Sequence, residues 1–100
     1  MQTLKLADNL LIPLMKGEKK LTIRRGRRDI QLGELKFETV SGNDEVEVEV
    51  VEIRYIRISG VSDDICKEDG FDDWIDFYQG MKNYYPDLDV TEECTIIYFE

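Results

Sequence analysis

Apolar and polar residues alternate strictly along two stretches of the chain, and each stretch predicts a half-buried β-strand. Leu35, Phe37 and Thr39 interleave with Glu34, Lys36 and Glu38, while Val46, Val48 and Val50 interleave with Glu45, Glu47 and Glu49. Between them Ser41-Gly42-Asn43-Asp44 has hairpin-turn chemistry. The second strand runs on, but its parity breaks at Val50-Val51 and again at Tyr55-Ile56. A period of two that slips by one residue implies a bulge or a side chain changing faces. Two slips so close together suit a strand curling around a small barrel.

The remaining pattern adds helices and edge elements. Thr3 to Leu6 reads as a short strand, and Asp8 to Lys16 as a short helix distorted at Pro13 and closed by Gly17. Leu21 and Ile23 alternate with Thr22 and Arg24, which makes another half-buried strand. Arg25 to Gly33 is a polar loop, and Ser59 to Gly70 a loop with one helical turn. Asp72 is a candidate N-cap for a helix reaching about Tyr85, with Pro86 as its stop. Phe71, Trp74, Tyr78, Met81 and Tyr85 recur along it at helical spacing. That stripe reads as core packing, with a base-stacking platform as the alternative. Gly80 should weaken the helix by roughly 1 kcal/mol relative to alanine. Cys94 to Phe99 is apolar on both faces and predicts a central strand. The order β-α-β-β-β-α-β does not alternate regularly, so the fold class is α+β on a mostly antiparallel sheet.

Composition narrows the function. At 100 residues, 42% hydrophobic and 35% charged, the chain is expected to form a single domain spanning residues 1–100. No apolar run approaches the roughly 18 residues of a membrane span. Met1 to Leu6 lacks a signal peptide's apolar stretch, so a cytoplasmic location is expected. The absence of histidine removes Ser–His and Cys–His nucleophile pairs and most zinc sites. Cys66 and Cys94 have no CxxC spacing and read as reduced packing residues. No phosphate loop, dinucleotide fingerprint or calcium loop is present. Asp63-Asp64 and Asp72-Asp73 read as helix starts, and neither a metal nor a cofactor is expected.

Charge is distributed unevenly. Lys16 to Arg28 holds seven basic residues against one acid, a local +6, so the rest must carry −15 to give the overall −9. A concentrated basic patch can hold a phosphate while the remaining field opposes loose association with a nucleic-acid backbone. Such a distribution favours a small anionic ligand or a short single strand over duplex DNA.

The segment Gly17-Glu18-Lys19-Lys20-Leu21-Thr22-Ile23-Arg24, with Asp69-Gly70-Phe71 and the closing helix and strand, resembles the ASCH domain family of the PUA-like superfamily. The resemblance runs from about Leu10 to Glu100 and is nearest to the short bacterial acetylcytidine amidohydrolases. It implies a small PUA-like β-barrel of mostly antiparallel strands, with two or three helices packed around it. It also implies a cleft where Lys19, Thr22 and an acidic residue converge on a nucleoside-like ligand. The barrel binds RNA or a modified nucleoside on this reading, as a monomer, without membrane or metal. Gly17, Lys20, Arg24, Arg25, Arg27, Arg28 and Glu68 complete the implied binding set, with Arg27 and Arg28 in a mobile loop.

The alternative is catalysis. Beside Lys20, Arg24 and Arg25, Lys19 gains like-charge repulsion that favours a neutral amine. With Lys19 as base, Thr22 or a water as nucleophile and Asp69 as acid, the chain would deacylate an acetylated cytidine. The amidohydrolases carry glutamate where this chain places Asp69, with Glu68 adjacent. A carboxylate displaced by about 1 Å can lower the rate on the order of 100-fold. A third reading is an acidic protein-interaction domain acting through Glu45, Glu47 and Glu49.

Overall fold

The computed structural model describes residues 1–100. A single sheet holds five strands in the order β1-β3-β4-β5-β2: β1 (Gln2–Leu6), β2 (Leu21–Arg25), β3 (Gly33–Thr39), β4 (Glu45–Arg57) and β5 (Glu93–Phe99). Only the β1–β3 pairing is parallel; the others are antiparallel. The helices are α1 (Leu11–Met15), α2 (Asp63–Glu68) and α3 (Trp74–Tyr84). The predicted strands all form, and β5 lies in the interior of the sheet between β4 and β2.

The sheet curls into a half-barrel. Laid flat, β1 and β2 would lie four strand spacings apart, roughly 19 Å. Yet Arg24 Nη2 on β2 donates to the Lys5 carbonyl on β1 at 2.8 Å, so the two edges face one another. No ladder joins them, and the seam is crossed by a side chain. The bend is built into β4, whose register against β5 shifts between Val50 and Glu52. This is the first of the two expected slips, and exposed Val51 is the extra residue. At the second, Tyr55 and Ile56 pair in unbroken register with Thr95 and Cys94. No bulge occurs there because both faces of β4 are half-buried at that point, so each accepts an apolar side chain.

The two faces carry separate cores. Inside the curl, Leu6, Leu35, Phe37, Val50, Ile97 and Phe99 pack with Leu14 of α1. Outside it, Leu21, Ile23, Cys94 and Ile96 meet Cys66 of α2 and Phe77 and Met81 of α3. Both cysteines are free, and burial pushes each thiol up to about 11. The aromatic stripe belongs to the outer core. Trp74 stacks on Tyr78 with centroids 5.2 Å apart. Its indole N–H donates to the Ile58 carbonyl, and the Tyr78 hydroxyl to that of Leu88. Those rings are partly buried against the outer core, as expected of core packing.

Helix boundaries differ from the expectation in three places. The first helix divides into a 3-10 turn at Asp8–Leu10 and α1, with Pro13 near the join. The cap of α3 is Asp73, not Asp72, because the Asp73 carboxylate accepts from Asp76 N. Within the expected loop lies α2, capped by the Ser62 hydroxyl accepting from Ile65 N.

Candidate functional site

Asp69 owes its position to the way α2 ends. It is the C-cap that follows the last helical residue, Glu68, and Gly70 comes next with φ +96°, a backbone conformation that favours glycine. Gly70 N donates to Lys67 O and Phe71 N to Cys66 O, the pair of bonds that defines a Schellman cap. Phe71, the apolar residue of that cap, lies against α3, edge-on to Phe77 at 5.7 Å between centroids. The Asp69-Gly70-Phe71 triplet is therefore a helix stop whose first residue carries the acid. Glu68, one position earlier, is still helical and exposed. It does not join the cluster.

The acid meets Lys19 at the entrance to β2. Lys19 Nζ donates to Asp69 Oδ1 at 2.5 Å across 50 positions of sequence. Their side chains are 7% and 9% exposed, which makes this a buried ion pair. Burial pushes the Asp69 carboxyl above its ordinary range, while Lys19, and Arg24 more weakly, pull the other way.

Thr22 and Arg24 share the inner face of β2. Arg24 Nε donates to Thr22 Oγ1 at 3.1 Å while its Nη2 reaches Lys5. Arg24 feels the charges of Arg28, Tyr85 and Asp69, and burial together with Arg28 lowers its pKa. The structure thus gathers Lys19, Asp69, Arg24, Thr22 and Arg28 near one end of the seam. The second oxygen of Asp69 and the hydroxyl proton of Thr22 remain uncommitted.

Arg25 and Arg27 are placed elsewhere. Arg25 points to the opposite face of β2, where it pairs with Asp87 and Glu92 and lies over the Tyr85 ring. Arg27 pairs with Glu93 and lies 3.9 Å from the Tyr55 ring centroid. Gly17 and exposed Lys20 line a depression together with Lys19, Leu14, Val48, Phe99 and Glu100.

The arginine loop was expected to be mobile, and it is instead tied to the sheet. Thr95 Oγ1 donates to Gly26 O at 2.7 Å and accepts from Arg28 N at 2.8 Å. The Tyr55 hydroxyl donates to Arg28 O, and Arg28 Nε to Arg25 O. Fully buried Thr95 is thus an organiser that the sequence reading did not single out. Its signal was a threonine between Cys94 and Ile96, flanked on both sides by apolar residues. The acidic pairs serve helix ends: Asp63 accepts from Trp74 N, and Asp73 caps α3.

Compared as a sequence, the chain matches no family description and no curated protein. Compared as a fold, it is similar to the ASCH domain from Lactobacillus crispatus JV V101, with a TM-score of 0.75 at 13% identity over 99% of this chain and 79% of that one. It is also similar to a serine-to-alanine mutant of ZmASCH from Zymomonas mobilis, with a TM-score of 0.67 at 14% identity over 98% of this chain and 66% of that one. The chain shares the fold of these two ASCH proteins, a small α+β domain built on one curled, mostly antiparallel sheet.

Proposed function

We propose that this protein binds RNA or a modified nucleoside, seating the base against Lys19, Thr22, Arg24 and Asp69. The buried Lys19–Asp69 pair is the observation that carries this reading. Hydrophobic residues of similar volume would stabilise the fold as well or better, so a buried ion pair contributes little to stability by itself. At a ligand site the same pair supplies oriented polar groups. The open Asp69 oxygen is an acceptor suited to an exocyclic amine. The Thr22 hydroxyl is a donor suited to a base carbonyl, with the Arg24 guanidinium beside it holding its oxygen.

Deacylation of an acetylated cytidine is the second reading, supported by the same Lys, Thr and Asp set. It requires in addition a nucleophile placed for attack on an acyl carbon, which the Lys19–Asp69 contact by itself does not supply. Binding is therefore the better supported of the two.

The test is a titration of the labelled protein with cytidine, N4-acetylcytidine and a short single-stranded oligoribonucleotide, followed by NMR. Saturable shifts centred on Lys19, Thr22 and Asp69 are expected. No saturable shift with any of the three up to millimolar concentration overturns the reading. Release of acetate from N4-acetylcytidine, lost in Lys19→Met, would promote the deacylase reading over simple binding.

A further inference from the structure

The chain has 13 basic and 22 acidic residues, so a basic side chain has many carboxylates to choose from. Those of Lys5, Lys19, Arg25, Arg27, Lys36 and Arg54 each take one within 4.0 Å. Seven do not, and five of these (Lys16, Lys20, Arg57, Lys67 and Lys82) are exposed. The remaining two, Arg24 and Arg28, are half-buried. Two half-buried guanidinium groups without a carboxylate partner, on backbones that both meet Thr95, leave a positive site open in a strongly acidic protein.

Both groups are held from behind. Arg24 pairs with Thr95 in the β2–β5 ladder, and Arg28 is fixed to the Thr95 hydroxyl through its own backbone N–H. Arg24 uses Nε on Thr22 and Nη2 on Lys5, which leaves Nη1 free. Arg28 uses Nε on the Arg25 carbonyl, which leaves both terminal nitrogens free. A guanidinium pinned at Nε presents its outer N–H groups as a fork that matches phosphate oxygens. Thr95, itself tied to Gly26, sets the spacing of the two forks.

We infer that Arg24 and Arg28 form a subsite for a phosphate monoester, so that the ligand at the Lys19–Asp69 pair is a nucleotide and not a neutral nucleoside. The inference rests on the nucleoside-binding reading above and adds a charge to its ligand. The charges support it. Lys19 and Asp69 cancel, leaving two positive charges from Arg24 and Arg28. A terminal phosphate carries about −1.5 to −2 at neutral pH, whereas a diester link carries −1. The remainder of the chain, at −15, repels a long phosphodiester backbone more than a single terminal phosphate.

Isothermal titration with cytidine, cytidine 5′-monophosphate, inorganic phosphate and a short oligoribonucleotide with and without a 5′-phosphate tests this. The monophosphate should bind at least about tenfold more tightly than cytidine, as two charge-assisted contacts require. Arg28→Ala should remove that advantage and leave cytidine affinity unchanged. Arg28→Lys should keep part of it. Arg57→Ala, which removes one exposed charge elsewhere, should leave the advantage intact, and thermal melts of each variant confirm folding. A preference for the 5′-phosphorylated oligoribonucleotide alone would identify a strand end as the source of the monoester. Equal affinity for cytidine and its monophosphate overturns the inference while the binding reading stands. Equal losses in the Arg28 and Arg57 variants overturn it too, because they indicate only a diffuse field. Arg28-dependent phosphate binding without any nucleoside binding would keep the subsite and remove the broader reading. No binding of any probe removes both.

Discussion

Phe71 sits on Gly80. A Cβ added at Gly80 would lie 2.8 Å from the Phe71 ring, closer than packed carbons come. The glycine that weakens α3 by intrinsic propensity is therefore the residue that lets Phe71 seat, and Phe71 closes the helix stop that ends at Asp69. Gly80→Ala is expected to lower stability by about 1–3 kcal/mol through overpacking. Helix propensity alone predicts a gain of about 1 kcal/mol, so the two accounts differ in sign. Chemical denaturation decides between them. The double variant Phe71→Leu, Gly80→Ala should recover most of the loss relative to Phe71→Leu alone. A plain gain in Gly80→Ala would refute the steric account.

Removing either member of the Lys19–Asp69 pair strands a buried charge. Lys19→Met is expected to destabilise the protein by about 3–5 kcal/mol, and Asp69→Asn by less, because burial already favours a neutral group at that position. The double variant Lys19→Met, Asp69→Leu should fall close to the wild type in stability while losing ligand binding. Glu68→Ala, at an exposed helical position, should change neither. Urea denaturation of the four variants beside a binding assay checks all of this. Additive destabilisation in the double variant would show that the two groups do not act as a pair.

The Asp69 carboxyl should titrate above its ordinary value near 3.9, because burial favours its neutral form. With a raised native value, the folded state holds a proton that the unfolded state has already released. The stability this contributes is complete below the unfolded value and is lost as pH rises through the native value. The stability of the wild type minus that of Asp69→Asn should therefore fall with pH across that window. Carboxyl-carbon NMR reads the site directly. Lys19→Met should raise the Asp69 value further, since Lys19 is the largest influence pulling it down.

Thr95→Val tests the anchor of the arginine loop. It removes a buried hydroxyl that serves both Arg28 N and Gly26 O. A loss of about 1–3 kcal/mol is expected from the two groups left unsatisfied. Hydrogen exchange at Arg28 should quicken more than exchange at the paired residues of β3 and β4. Uniform quickening would mean that Thr95 supports the whole sheet and not this loop.

Much of the fold could be read from period and punctuation. Strict alternation placed β3 and β4 and the turn between them, and the parity slip at Val50-Val51 located the bend. Six-residue α2 escaped because two turns carry too few apolar positions to show a period, although its Ser62 cap was there to be seen. The choice between Asp69 and Glu68 also lay beyond periodicity. It depends on which residue ends the helix, and that is decided by Gly70 and by Phe71 finding a home on α3. The basic run Lys16 to Arg28 reads as one patch in sequence. In the fold it divides, because Asp87, Glu92 and Glu93, more than sixty residues away, claim Arg25 and Arg27.

The guanidinium that spans the seam has a further bearing on ligand entry. Arg24 fastens the two free margins of the sheet like a single stitch, through one hydrogen bond to the Lys5 carbonyl. An anion bound at its free Nη1 pulls against that stitch. Occupancy at one end of the molecule would then be felt in the freedom of its first strand, where no contact with the ligand exists.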